Sequence, residues 1–179
     1  MKEILQRFYW DMADRSGRKA IIEYLIRDLP GAFGIMVRRK YYSRQFKQAG
    51  ALLNVLAGSY VINPQHIECG DSLSIGICNY IQAGGGITFG DNVMLGPYAK
   101  IWTQTHNFER KDVPIKTQGY TYKSVEVGDD VWIGANSFLM PGSKIGSHSI
   151  ISACAVVAAK SYPEGIILAG NPARKIGER

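Results

Sequence analysis

The chain has 179 residues, 46% of them hydrophobic and 20% charged, the composition of an ordinary soluble protein with material for one core. Three cysteines at scattered spacings give neither a disulfide framework nor a zinc pattern, and no apolar run approaches the roughly 18 residues of a membrane span. The net charge of +6 is unevenly placed: residues 1–50 hold eleven Lys or Arg against five Asp or Glu, 11 − 5 = +6, and residues 51–179 hold ten of each, 10 − 10 = 0.

In chain order, the start from Met1 to Gln6 lacks a secretory core, and the expected location is the cytoplasm. Three- and four-residue steps predict helices over 3–14 (Ile4, Leu5, Phe8, Met12) and 18–28 (Ile21, Ile22, Leu25, Ile26), separated by Ser16-Gly17 and stopped by Pro30-Gly31. Phe33, Ile35, Met36 and Val37 then precede the run Arg38-Arg39-Lys40-Tyr41-Tyr42. This basic extension, residues 1–50, has two readings. It caps the open end of the repeats that begin beyond it, the preferred expectation, or it makes peripheral contact with an anionic membrane surface or substrate. No nucleic-acid motif accompanies the charge.

From about Ala51 the chain is expected to be extended, and residues 51–179 read as one domain. Between Val125 and Lys160 an aliphatic residue recurs every six positions, at Val127, Ile133, Leu139, Ile145, Ile151 and Val157. Two positions before each stands a small or β-branched residue. Period six fits neither a helix nor an alternating strand. It suits short strands joined by tight turns, three to a triangular coil, with coils about 4.8 Å apart, hence an all-β solenoid. The phase runs backwards through Phe89, Leu95 and Ile101, and through Cys69, Ile75 and Ile81, for twelve repeats, or about four or more coils. A step of eight at Gly84-Gly85-Gly86 predicts a two-residue bulge. A step of twenty-six from Ile101 to Val127 predicts an extruded loop at about 107–124, where function concentrates. The pairs Gly70-Asp71, Gly90-Asp91 and Gly128-Asp129 read as tight corners, with glycine at positive φ and aspartate capping the turn.

Four motifs carry a resemblance: Phe89-Gly90-Asp91-Asn92-Val93-Met94-Leu95-Gly96-Pro97, Thr103-Gln104-Thr105-His106, Val131-Trp132-Ile133-Gly134-Ala135-Asn136 and Ala169-Gly170-Asn171-Pro172-Ala173-Arg174. Over about Ile67 to Ile176 the chain resembles the hexapeptide-repeat acyltransferases, in the branch of the galactoside and maltose O-acetyltransferases. The resemblance implies a left-handed parallel β-helix, a homotrimer with active sites between subunits, and transfer of acetyl from acetyl-CoA to a sugar or surface-polysaccharide hydroxyl. It places His106 as general base, a role imidazole suits because it titrates near neutrality. His66 and His148 keep structural readings. No serine or cysteine stands in an acyl-enzyme motif, so transfer is expected to be direct. The resemblance assigns the coenzyme to Trp132, Ala135, Ala153 and Ala158, with Lys160 and Arg174 for its phosphates. Lys160 departs by one position from the family's Thr-Lys ending. On the acceptor side the family's asparagine is replaced by Gly76, and Asn79, Gln82 and Gln104 are the candidates to contact substrate. Transfer to serine, an antibiotic or an amino-sugar nitrogen, and a non-catalytic scaffold, are the alternatives. No metal is expected, since His106 alone cannot supply a three-histidine site.

Overall fold

A computed structural model describes residues 1–179 as three helices followed by a parallel β-solenoid. Helix α1 spans Lys2–Ala13, α2 Arg15–Arg27 and α3 Gly31–Tyr42. Asp14 breaks α1 from α2 and caps the second helix, its carboxylate accepting the N–H groups of Ser16 (2.8 Å) and Gly17 (3.0 Å). Helix α1 packs on α2 and buries none of its residues.

The third helix was not anticipated. No element was assigned to its apolar residues and the basic run after them, but Gly34, Arg38 and Tyr42, at four-residue steps, form a buried stripe against the first coil. Arg38 is 1% exposed. It donates from Nε to the carbonyl of Val55 (2.7 Å) and from Nη1 to those of Ile26 (3.0 Å), Arg27 (3.2 Å) and Leu29 (2.8 Å), tying the end of α2 to the solenoid. Arg39 donates to the carbonyl of Leu53 (2.8 Å) and to Asn54 Oδ1. Two of the three cations in the Arg38–Lys40 run are therefore occupied inside the molecule.

The solenoid has three faces. The first stacks Gln48–Ala49, Ile67–Cys69, Ile87–Phe89, Val125–Val127, Lys144–Ile145 and Ser161–Tyr162; the third stacks Tyr60–Ile62, Tyr80–Gln82, Lys100–Trp102, Phe138–Leu139 and Val156–Val157. The second stacks Asn54–Val55, Ser74–Ile75, Met94–Leu95, Trp132–Ile133, Ile150–Ile151 and Ile166–Ala169, and the C-terminal strand Arg174–Glu178 folds back antiparallel on the last of these. Along this face the register Val55, Ile75, Leu95, Ile133, Ile151, Leu168 aligns one inward residue per coil, each 4% exposed or less. Each such burial contributes about 2 kcal/mol, and the hexad is the trace of that column.

Six turns are present, one before the Cys69 repeat and a two-sided one after Val157. The first starts at Gln48, slightly before the expected Ala51. It escaped the count because Val61 to Cys69 is another step of eight, filled by Asn63 in the left-handed region and a 3₁₀ turn at Pro64–His66. The last escaped because Val157 to Tyr162 is a step of five.

The Gly-Asp corners work differently from expectation. Gly70, Gly90 and Gly128 are not among the glycines at positive φ; that conformation falls to Ser72 (63°), Asn92 (58°) and Asp130 (53°), two residues later. The glycines serve close approach, since a Cβ at Gly90 would collide with the Asp129 carboxylate. The aspartates form a ladder: Asp71 Oδ1 accepts the N–H of Ala51 (2.6 Å), Asp91 that of Asp71 (2.7 Å) and Asp129 that of Asp91 (2.8 Å). Their structural reading stands, with each carboxylate bonding the coil before it.

Candidate functional site

Between Trp102 and Val125 the coil is interrupted at the corner joining the third face to the first. The inserted residues form an antiparallel hairpin of Gln104–His106 with Tyr120–Tyr122, paired Gln104 to Tyr122, Thr105 to Thr121 and His106 to Tyr120. The backbone bonds Asn107 N–H to Gly119 O (3.1 Å) and Lys123 N–H to Thr103 O (2.9 Å) lie on the same register, at its two ends. They make 103/123 and 107/119 hydrogen-bonded pairs, so 104/122 and 106/120 are the close, non-hydrogen-bonded pairs whose side chains crowd one face.

That face carries His106, Gln104, Tyr120 and Tyr122. The His106 ring is exposed and lies 4.4 Å from the Tyr120 ring, centroid to centroid, at 41°. The hydrogen bond that reaches His106 from a neighbouring side chain, from Thr105 Oγ1, ends on its carbonyl, and neither ring nitrogen has a partner within the chain. Gln104 Oε1 accepts from Gln82 Nε2 (2.7 Å). Gln82 is held in turn by the buried Thr103, whose Oγ1 lies 2.8 Å from the Gln82 carbonyl and accepts the N–H of Gly85 at 2.7 Å. A Cβ at Gly84 would meet Tyr122 Cε1 at 2.9 Å, which explains part of the glycine run: the Tyr122 ring lies over it.

The expected acceptor residues divide. Gln82 and Gln104 share the His106 face, but Asn79 does not, and its reading as a substrate contact is corrected here. It is fully buried, with Nδ2 donating to the carbonyls of Gly96 (2.9 Å) and Ile77 (3.2 Å) and Oδ1 unpartnered. It fills the same corner slot in its coil as Ser59 and Ser137, whose hydroxyls reach the carbonyls of Gly76 and Gly134. The other histidines sit at corners, His66 Nδ1 beside Gly84 O (3.2 Å) and His148 Nδ1 beside Asp130 Oδ2 (3.1 Å).

The coenzyme candidates fall on two corners. Trp132 is 51% exposed on the second face, and Ala135 and Ala153 follow at its corner with the third, where the Cys154 N–H donates to Ala135 O (2.8 Å). Ala158 and Lys160 lie at the corner that also launches the hairpin. There Gly142 stands between Lys123 and Ala159, and a Cβ on it would lie 3.3 Å from Lys123 Cδ and 3.5 Å from the Ala159 Cβ. Small residues thus run from the hairpin base to Lys160, whose Nζ lies 4.9 Å above the Tyr162 ring. Arg174 is exposed on the returning strand, paired with Ala169, with Nη1 bonded to the adjacent Ala173 carbonyl (3.0 Å). No cluster of three His, Cys, Asp or Glu side chains suited to a metal is present. Tyr120 and Tyr122 were not among the expected site residues, because only the hairpin register brings them to the His106 face.

The family model for bacterial transferase hexapeptide repeats (six repeats) matches residues 124–159. An acetyltransferase-like protein of Saccharomyces cerevisiae S288c is 35% identical over 139 residues, 72% of this chain and 69% of that protein. The chain spans less than half the length of other relatives it matches, among them the galactoside O-acetyltransferases of Escherichia coli K12 (32% identical) and Lactococcus lactis (34%). Among solved structures, a maltose O-acetyltransferase from Clostridium difficile 630 superposes with a TM-score of 0.81 at 25% identity, covering 94% of this chain and 88% of that one. A hexapeptide-repeat acetyltransferase from Vibrio cholerae, solved with acetyl coenzyme A, gives 0.79 at 24% identity, covering 89% and 84%. The fold is the left-handed parallel β-helix, and the chain belongs to the hexapeptide-repeat acetyltransferases, in the branch of the galactoside and maltose O-acetyltransferases.

Proposed function

We propose that this acetyltransferase moves the acetyl group of acetyl-CoA directly to a hydroxyl of a sugar or surface-polysaccharide precursor, with His106 as general base. The observation that carries the reading is the hairpin face: an exposed imidazole with both nitrogens unpartnered, beside the fixed amide pair Gln82–Gln104. One nitrogen of His106 takes the hydroxyl proton as the acceptor oxygen bonds to the acetyl carbon. It returns that proton to the sulfur as the carbon–sulfur bond breaks, so no group on the protein is acylated. Gln104 keeps its Nε2 hydrogens for further hydroxyls, with its Oε1 held by the buried Gln82. The donor's thin arm fits the corner of small side chains at Gly142 and Ala158, and Lys160 and Arg174 supply cations for its phosphates.

The coenzyme candidates on the second face, Trp132 with Ala135 and Ala153, sit across the third face from the hairpin. A homotrimer joins them to it, each His106 meeting the Trp132 face of the next subunit. The apolar third face supports this, with exposed Ile77, Tyr98 and Met140 beside the ring column Tyr60, Tyr80, Trp102 and Phe138.

Incubation with radiolabelled acetyl-CoA and a panel of free, nucleotide-linked and lipid-linked sugars tests the function. Label should enter hydroxylamine-labile esters. Transfer to amines alone, or to none of the panel, would contradict it.

A further inference from the structure

We infer that Tyr120 is the positioning residue of the site: its ring fixes the plane in which the His106 imidazole meets the acceptor hydroxyl. The inference rests on His106 being the base. A base must point a nitrogen at the proton it removes, and in many sites a hydrogen bond to the other nitrogen does the pointing. Within this chain His106 has no such bond, and the ring is instead packed against Tyr120 at 4.4 Å.

The strands leave little other freedom. Asn107 clamps the hairpin beyond His106, donating Nδ2 to the Gln118 carbonyl (3.0 Å) and accepting Thr121 Oγ1 (2.6 Å) at Oδ1. With the register pinned on both sides of the 106/120 pair, the imidazole keeps only its own torsions, and a ring on the opposing strand restricts them. The pair is the close kind, so the contact is built into the backbone geometry. The Tyr120 ring does this work and its hydroxyl does not.

Tyr120→Leu keeps an apolar, strand-compatible residue and removes the ring; Tyr120→Phe keeps the ring. Tyr120→Leu should lower kcat about tenfold with the KM for acetyl-CoA unchanged, a loss of orientation with the base still present, and Tyr120→Phe should restore most of it. Proton NMR gives a readout that simple loosening of the hairpin would not mimic. The chain has three histidines, so His106 ring protons are assignable by comparison with His106→Ala. They should resonate upfield in the native and Phe proteins, and lose that shift in Tyr120→Leu. Unshifted His106 protons in the native protein, or a Tyr120→Leu kcat within twofold of native, would overturn the inference. If His106→Ala stayed fully active while the ring shift followed Tyr120, the base assignment would fall instead, and the two failures are thereby told apart.

Discussion

Thr103 shows how single side chains carry the site. It is fully buried, and its hydroxyl is the shared partner of Gly85 N–H and the Gln82 carbonyl at the hairpin base. Thr103→Val keeps the shape and the backbone bond from the Thr103 N–H to the Gln82 carbonyl (3.1 Å) but leaves the Gly85 N–H unpaired, so it should cost about 1–3 kcal/mol in urea unfolding and loosen Gln82 beside His106. Asp130 gives a pH-dependent case. Hydrogen bonds from His148 first, and then Arg179, hold its carboxyl below the usual carboxylate value. A depressed carboxylate adds stability above its unfolded pKa and loses it as pH falls through the folded one. Protection of the returning strand Arg174–Glu178 against hydrogen exchange should therefore drop below about pH 4, ahead of the inner coils, and Arg179→Ala should weaken that pH dependence, with the His148 bond to Asp130 still in place. At this scale the sequence could name side chains of suitable chemistry, and the hairpin brings three of them, His106, Gln82 and Gln104, close together. The sequence misled where a role depends on facing: Asn79 has the right atoms for a sugar and lies inside the coil.

Among the elements, the helices show the limit of reading charge. The basic extension carries the whole excess of +6, which suggested an acidic partner, yet Arg38 and Arg39 bond to carbonyls and an amide at the first coil, and Lys47 pairs with Glu68 (2.5 Å). Replacing Arg38 and Arg39 would thus unpin α3, whatever the protein touches. Arg38→Met should destabilise by about 2–3 kcal/mol, because it takes the donor from the Leu29 and Val55 carbonyls; a thermal or urea melt reads this out. Deleting residues 1–13 should change the melt little, since α1 buries no residue, whereas deletion through Tyr42 should expose the first coil and cause aggregation. The hexad made the coils legible because every inward column repeats it. The hairpin was legible only as surplus length: its strands Gln104–His106 and Tyr120–Tyr122 lack an aliphatic rhythm, and their pairing is set by Asn107 and Gly119 across the insertion.

For the molecule as a whole, the proposed trimer would bring together candidate residues that one chain leaves on two corners of the prism, so the proposal makes assembly a condition of activity. Sedimentation should give a trimer. Mixing inactive His106→Ala with inactive Trp132→Ala, after dissociation and reassembly, should recover activity that neither has alone, because a mixed trimer contains interfaces with both side chains intact; absence of recovery would place the two in one subunit's site. The family's fold was open to sequence reading because a solenoid is quasi-one-dimensional, whereas contacts between chains leave no period behind. The proposed chemistry turns on the proton removed from the acceptor hydroxyl, and the most direct test is steady-state acetyl transfer by His106→Ala beside its thermal melt. The account predicts a fall in kcat of at least about a hundredfold with the melting temperature unchanged, as the ring is exposed and holds no structural bond. Native-like turnover by the folded variant would contradict it.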